Sequence, residues 1–323
     1  MMKDTEFAYA VARVRCNEAN LLSSSFTESL INAASYGEVL KLLTEAGFGD
    51  LEKDDTDALL SKRLEKAFAL IYESAPDKSC LDFLIVRNDF HNIKAAIKCL
   101  VMNTDAQNLF LKPSVMEPDA FVKALKTKEY DSLGKGFSDI VRKAYGIVTE
   151  TMDGQLLEVF LDRCCVEKSV ELAEKSGDEF SVLLANRMAL LTDIKIALRC
   201  ASCGKNKDFI MNALAECKAV DRERLCTAAL GGTDDIAAYV CSLGFEKLSE
   251  AVKSGSAVFE KACDDCLIEM VRGAKYQCLG IAPLVAYYFA TDAEVKTVRI
   301  VLSCKKNGIE TEKIRERVRV LYV

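Results

Sequence analysis

Asn92-Ile93-Lys94-Ala95-Ala96-Ile97-Lys98-Cys99, Asp193-Ile194-Lys195-Ile196-Ala197-Leu198-Arg199-Cys200 and Glu294-Val295-Lys296-Thr297-Val298-Arg299 are three versions of one segment. Their lysines stand at 94, 195 and 296, two equal steps of 101 residues. Each copy has a branched apolar residue, then Lys, then apolar positions. Each follows a long amphipathic stretch: Leu64 to Glu73, Leu156 to Val166, Val258 to Met270. A second element recurs as Gly37-Glu38-Val39-Leu40-Lys41-Leu42-Leu43-Thr44-Glu45-Ala46-Gly47-Phe48 and as Asp234-Asp235-Ile236-Ala237-Ala238-Tyr239-Val240-Cys241-Ser242-Leu243-Gly244-Phe245. A poorer middle copy runs from Pro118 to Leu125.

Self-similarity at a fixed period means a repeated supersecondary unit. A period near 100 residues exceeds the roughly 34 to 47 of tetratricopeptide, HEAT and armadillo solenoids. The expectation is therefore three similar helical lobes with pseudo-three-fold symmetry, closing around an axis. Their divisions fall at 1–110, 111–217 and 218–323, with the N-terminal helix free to pack on the last lobe.

The surrounding chain reads as all-α. Phe7, Val11, Val14 and Leu21 share one stripe of residues 4–22. Ser25 with Glu28 and Ser35 with Glu38 match capping boxes. Gly47 is placed to end the helix after Ser35 in a left-handed cap. Leu60, Leu64, Ala67 and Ile71 mark a helix that must stop before Pro76. Ile314, Val318 and Leu321 stripe a final helix. Only 4 Pro and 16 Gly interrupt 323 residues, so long helices meet few obstacles.

Composition narrows the function classes. A net charge of −6 argues against nucleic acid as a general partner. No run reaches the roughly 18 apolar residues of a membrane span, and the first residues lack a signal-peptide core. The 14 Cys include Cys99, Cys200 and Cys263 on apolar helical faces, where a thiol acts as a small hydrophobe. A reducing, cytoplasmic setting is expected. Cys200-Ala201-Ser202-Cys203 and Cys263-Asp264-Asp265-Cys266 have Cys-x-x-Cys spacing, but a zinc site would have to join the two pairs. Redox use would need a βαβ context. Free thiols are the simpler expectation, and Cys164-Cys165 adds a cluster without ligand spacing.

Catalytic machinery is hard to find. His91 is the only histidine, and a capping or packing role at a helix start suits it. Gly204-Lys205-Asn206-Lys207 follows a helix end and reads as a loop, not a phosphate cradle. Asp54-Asp55, Asp234-Asp235 and Asp264-Asp265 are the candidate magnesium holders, each more simply a helix start or exposed face. No catalytic, cofactor or metal residue is assigned. Arg13, Arg15 and Glu18 read as ion pairing within the first helix or as its anchor in the bundle. Lys94, Lys195 and Lys296, at equivalent repeat positions, are candidate partner-facing cations, and Arg199 and Arg299 beside them are read in the same way; alternatively they are solvated residues inherited from an ancestral unit.

Taken in order, Tyr9, Arg13, Arg15, Glu18, Leu21 and Leu22, then Asp89-Phe90-His91-Asn92-Ile93-Lys94, then Pro283-Leu284-Val285-Ala286-Tyr287-Tyr288, Glu294-Val295-Lys296 with Arg299, and Ile314-Arg315-Glu316-Arg317 resemble the C (d-like) subunit family of V-type ATPases. The chain departs from that pattern between Leu111 and Gly136, where Glu129-Tyr130 replaces the Gly-Phe ending. The resemblance implies a non-catalytic, funnel-shaped protein without a cofactor. It would seat the central shaft (subunits D and F) on the membrane proteolipid (c/K) ring and transmit torque for ion transport or ATP synthesis, peripheral on the cytoplasmic face. The alternative from the repeats alone is a helical adaptor with a concave partner-binding surface.

Overall fold

Sparse glycine and proline leave the apolar stripes free to coil. In a computed structural model that describes residues 3–49, 55–104 and 109–323, the described residues form sixteen α-helices and no strand. By packing, the chain divides into two compact units: residues 1–78 with 245–323, and residues 79–244.

The first unit holds α1 (Ala8–Glu18), α2 (Ser24–Asn32), α3 (Tyr36–Glu45) and α4 (Thr56–Ser74), followed much later by α13 (Glu246–Ser254), α14 (Ser256–Arg272), α15 (Ala282–Lys306) and α16 (Thr311–Arg317). Its longest helix, α15, is buried along most of its length and packs on α1, α4 and α14. Leu30, Ile31, Val39 and Leu43 from the N-terminal part close one core with Val298, Val301 and Ile314 from the C-terminal part. Arg15 forms a 2.7 Å pair with Glu18 and donates to the Ala274 and Gln277 carbonyls, each at 2.7 Å. Arg13 donates to Ser74 Oγ at 2.9 Å. Both arginines therefore anchor α1, and Arg15 also pairs within it.

The second unit holds α5 (Asp82–Met102), α6 (Pro118–Thr127), α7 (Ser138–Thr151), α8 (Gly154–Ser176), α9 (Glu179–Ser202), α10 (Lys207–Ala213), α11 (Arg222–Gly231) and α12 (Thr233–Ser242). Here α5 packs along α8, and α8 along α9. Phe90, Ile93, Ile97, Phe121, Val141 and Leu161 fill its core. The Phe121 and Phe137 rings meet edge-on at 5.7 Å, a favoured aromatic geometry.

Several local expectations hold. Ser35 Oγ accepts the Glu38 N–H at 3.2 Å, and Glu38 Oε2 accepts the Ala34 N–H in return. Gly47 and Gly244 end α3 and α12 at φ of 84° and 85°. In the weak middle copy Lys128 takes the same left-handed position, φ 59°, at the end of α6. The terminating conformation is present without its glycine, which is why the sequence signal fades there.

Others are corrected. The cap of α2 is Ser23, which accepts the Phe26 N–H at 3.2 Å; Ser25 lies inside the helix. The first α-helix ends at Glu18, so Leu21 lies beyond it. The last helix ends at Arg317, and 318–323 continues without helix while Leu321 and Tyr322 stay buried. His91 lies in the middle of α5, not at a start, and is exposed. Asp264 and Asp265 lie mid-helix in α14 and are largely buried in ion pairs, whereas Asp234 and Asp235 do open α12. Asp54 lies outside the described residues, and Asp55 caps α4 through the Asp57 N–H.

Phe121→Ala removes a fully buried ring from the second core. It should cost about 3–5 kcal/mol, read as a fall in the urea midpoint followed by far-UV circular dichroism.

Candidate functional site

The five candidate cations occupy unlike surroundings. Lys94 of α5 is ion-paired to Asp162 of α8, and one turn on Lys98 pairs with Glu158 at 2.6 Å. Lys296 of α15 sits between Asp264 and Asp292, both at 2.8 Å. Burial opposes its charge, but those two carboxylates outweigh it and raise its pKa. Arg299 reaches Asp57 at 3.2 Å and Ser61 Oγ at 3.1 Å on α4. Lys195 and Arg199 of α9 form no ion pair among the described residues, and Arg199 is exposed.

Arg199 borders a cleft of about 160 Å³ walled by α8, α9 and α10. Glu158 and Asp162 line it from α8, Lys205 from the turn after α9, and Ile196 and Phe209 give it apolar surface. Lys205 donates to Gln155 Oε1 at 3.3 Å and lies 4.5 Å over the Phe209 ring. Asp162, which lines the cleft with Arg199, is also the partner of Lys94. Lys195 lies one helical turn from Arg199. Lys296 and Arg299 belong to the other compact unit.

Three residues that head the repeated segments, but have no role assigned there, do more. Asn92, Asp193 and Glu294 each stand two places before a repeat lysine and are at most 1% exposed. Each holds the backbone of a connecting segment. Asn92 accepts the Leu111 N–H at 2.8 Å and donates to the Leu111 carbonyl at 3.0 Å. Asp193 accepts the Ala215 N–H, 3.2 Å from both oxygens. Glu294 accepts the Leu22 N–H at 2.7 Å and is ion-paired with Arg63. A signal exists, since 92, 193 and 294 repeat at the same 101-residue step. It is masked because amide, short acid and long acid look unlike as residue types. A buried polar group is tolerated only when partnered, and here each partner is a linker amide.

The stretch Asp89-Phe90-His91-Asn92 gains a physical meaning in this light. Asp89 accepts the Val115 and Met116 N–H groups at 2.9 and 2.7 Å. Asn88 donates to the Pro113 carbonyl at 2.7 Å, and His91 Nε2 meets the Leu109 carbonyl at 3.0 Å. One face of α5 thus sews down the segment leading into α6. Burial pushes the Asp89 carboxyl up to about 6, against the two amides that favour its charge.

None of the 14 cysteines is joined in a disulfide. Burial pushes Cys164 up to about 11 and Cys165 to about 12, which keeps both protonated and unreactive at neutral pH. Among the described residues no three His, Cys, Asp or Glu side chains group as metal ligands, and no helix is long and apolar enough to cross a membrane. Gly204 (φ 60°) follows the end of α9 and Asn206 caps α10 by accepting the Phe209 N–H at 2.9 Å, so 204–206 form a loop and Lys207 opens the next helix.

Two substitutions test the geometry. Glu294→Ala leaves the Leu22 amide and Arg63 without a carboxylate and should cost about 3 kcal/mol; Glu294→Gln, able to accept one bond, should recover part of it in urea unfolding. At Asp264, burial alone would raise the pKa, but Lys296 and Arg319 together hold it below the usual carboxylate range. A depressed folded pKa means stability that is present above the ordinary value and lost as pH falls through the folded one. Asp264→Asn should therefore lower the melting temperature at pH 7, and the difference from the parent chain should shrink as pH falls below the ordinary carboxylate range and through the folded pKa.

The sequence matches the family described as ATP synthase (C/AC39) subunit over residues 10–317. It is 24% identical to the C subunit of the V-type sodium ATPase of Enterococcus hirae, across 96% of this chain and 97% of that one. It is 22% identical to the C subunit of the A-type ATP synthase of Desulfurococcus sp., across 97% and 91%. It is 21% identical to the C subunit of the V-type ATP synthase of Thermus thermophilus, across 97% and 98%. With the family pattern running through all but the last few residues of either end, from α1 to the close of α16, the chain belongs to the ATP synthase (C/AC39) subunit family.

Proposed function

We propose that this protein is the non-catalytic C subunit of a rotary V/A-type ATPase, joining the central shaft (subunits D and F) to the proteolipid ring. The observation that carries the proposal is the end-to-end match to C subunits of such machines, at nearly equal length. The interior agrees with it. A torque coupler has to be stiff, and long close-packed helices pass strain on instead of absorbing it.

The three lobes belong to the same proposal. Three long helices, α5, α9 and α15, carry the buried polar residue and the lysine at equal spacing, which favours a triplicated unit arranged as a pseudo-three-fold funnel divided near 110 and 217. A place on the cytoplasmic face, peripheral to the bilayer, follows from the assignment. Of the candidate cations, Arg199 and Lys195 are the two we assign to a partner, because Lys94, Lys296 and Arg299 are already engaged by Asp162, Asp264 with Asp292, and Asp57.

Tagged protein drawn from its native membranes in mild detergent should bring the shaft subunits and the proteolipid ring with it. Arg199→Glu should weaken recovery of one of those partners while leaving the helical content unchanged. Recovery of neither partner with the parent chain would instead favour a helical adaptor serving another assembly.

A further inference from the structure

The three buried polar residues are not equally compensated. Asn92 is an amide and carries no charge. Glu294 has the Arg63 guanidinium against it. Asp193 has neither advantage: it is fully buried, and the Ala215 N–H is its one hydrogen-bond donor among the described residues. Burying a carboxylate with so little support is costly, and such a group tends to keep its proton.

The nearest cation is turned elsewhere. Arg222 of α11 donates to the Met211 carbonyl and faces Glu216 at 3.8 Å, while its buried Nε is left without a partner. From α8, Glu167 accepts the next amide of the same linker, Glu216 N–H, at 2.9 Å. Glu167 is partly exposed and lies 3.6 Å from Arg163. Tyr239 of α12 and Cys217 of the linker also feel the Asp193 charge. Lys207 of α10 faces the Cys226 thiol instead. Consecutive amides of one linker are thus held by two carboxylates, one at the surface and one in the interior.

We propose that Asp193 is a proton-operated latch on linker 214–220: neutral, it holds the linker closed against α9, and once charged it favours opening. The linker leads directly into α11 and α12, so the latch couples the seating of that helical pair to pH. Burial pushes the Asp193 carboxyl up to about 7; the Ala215 amide and Arg222 pull it down, and Glu167 adds to the rise. The sign follows from linkage. The folded chain holds this proton more tightly than the unfolded chain, so the advantage to the closed state is complete below the ordinary carboxylate range and disappears as pH climbs through neutrality.

Hydrogen exchange on the full-length chain tests the latch, with rates corrected for the intrinsic pH dependence of exchange. As pH rises from the ordinary carboxylate range toward the folded midpoint, the Ala215 and Glu216 amides should lose protection, and above about pH 7 the loss should level off. Below that midpoint each pH unit should cost up to tenfold in protection, one proton being released on opening. Asp193→Asn should abolish that slope. Glu167→Gln removes a negative charge that hinders Asp193 ionisation, so the levelling-off should move to lower pH. Protection that does not change with pH in the parent chain, a slope that survives in Asp193→Asn, or a slope that vanishes in Glu167→Gln overturns the proposal. Should Asp193→Asn fail to fold, the carboxyl-carbon resonance of Asp193 in the parent chain decides: a midpoint near neutrality supports the latch, and one near 4 overturns it.

Discussion

A polar side chain placed on the apolar face of a long helix is the constraint around which this protein is organised. Asn92, Asp193 and Glu294 have no water to turn to, so each must find its partner in the protein. Each finds it in the backbone of a connecting segment: Leu111, Ala215 and Leu22. The arrangement fixes where a linker crosses its helix and so where the next short helices begin. Apolar packing alone is non-directional and would leave that crossing loosely specified. The net gain from each hydrogen bond is modest, about 1 kcal/mol, but leaving such a group unpartnered would cost more than that.

What the sequence made legible was what depends on periodicity and punctuation. The apolar stripes became helices, Gly47 and Gly244 became left-handed ends, and the 101-residue step survived as a recurring buried position. What it concealed depended on contacts between distant residues. Ser23 and Ser25 are indistinguishable as caps until the path of the preceding chain is known. Asp264-Asp265 looks like an exposed acidic pair, yet Lys296, Arg319 and the Val320 amide come to it from far along the chain. The lysines illustrate both cases. Their spacing is visible, but whether each has an acidic neighbour can be learned only from the packing of α8, α14 and α15.

Self-neutralisation of Lys94 and Lys296 also changes how the surface is understood. A lysine tied to a carboxylate of its own chain offers little net charge to a partner, whereas the guanidinium of Arg199 remains available at the edge of its cleft. At matched positions of the 101-residue step, Lys94 and Lys296 are tied to carboxylates of their own chain, while Lys195 forms no ion pair among the described residues.

The unit built from residues 1–78 and 245–323 is discontinuous, and this bears on how the protein is made. Leu30, Val39 and Leu43 emerge from the ribosome early, but Val298, Val301 and Ile314, which cover them, are translated last. At typical synthesis rates, the intervening residues impose a wait on the order of ten to fifty seconds. During that interval the nascent N-terminal helices lack the C-terminal share of their core. Shielding of those early helices until the C-terminal partners arrive is a requirement that the chain order imposes on biogenesis.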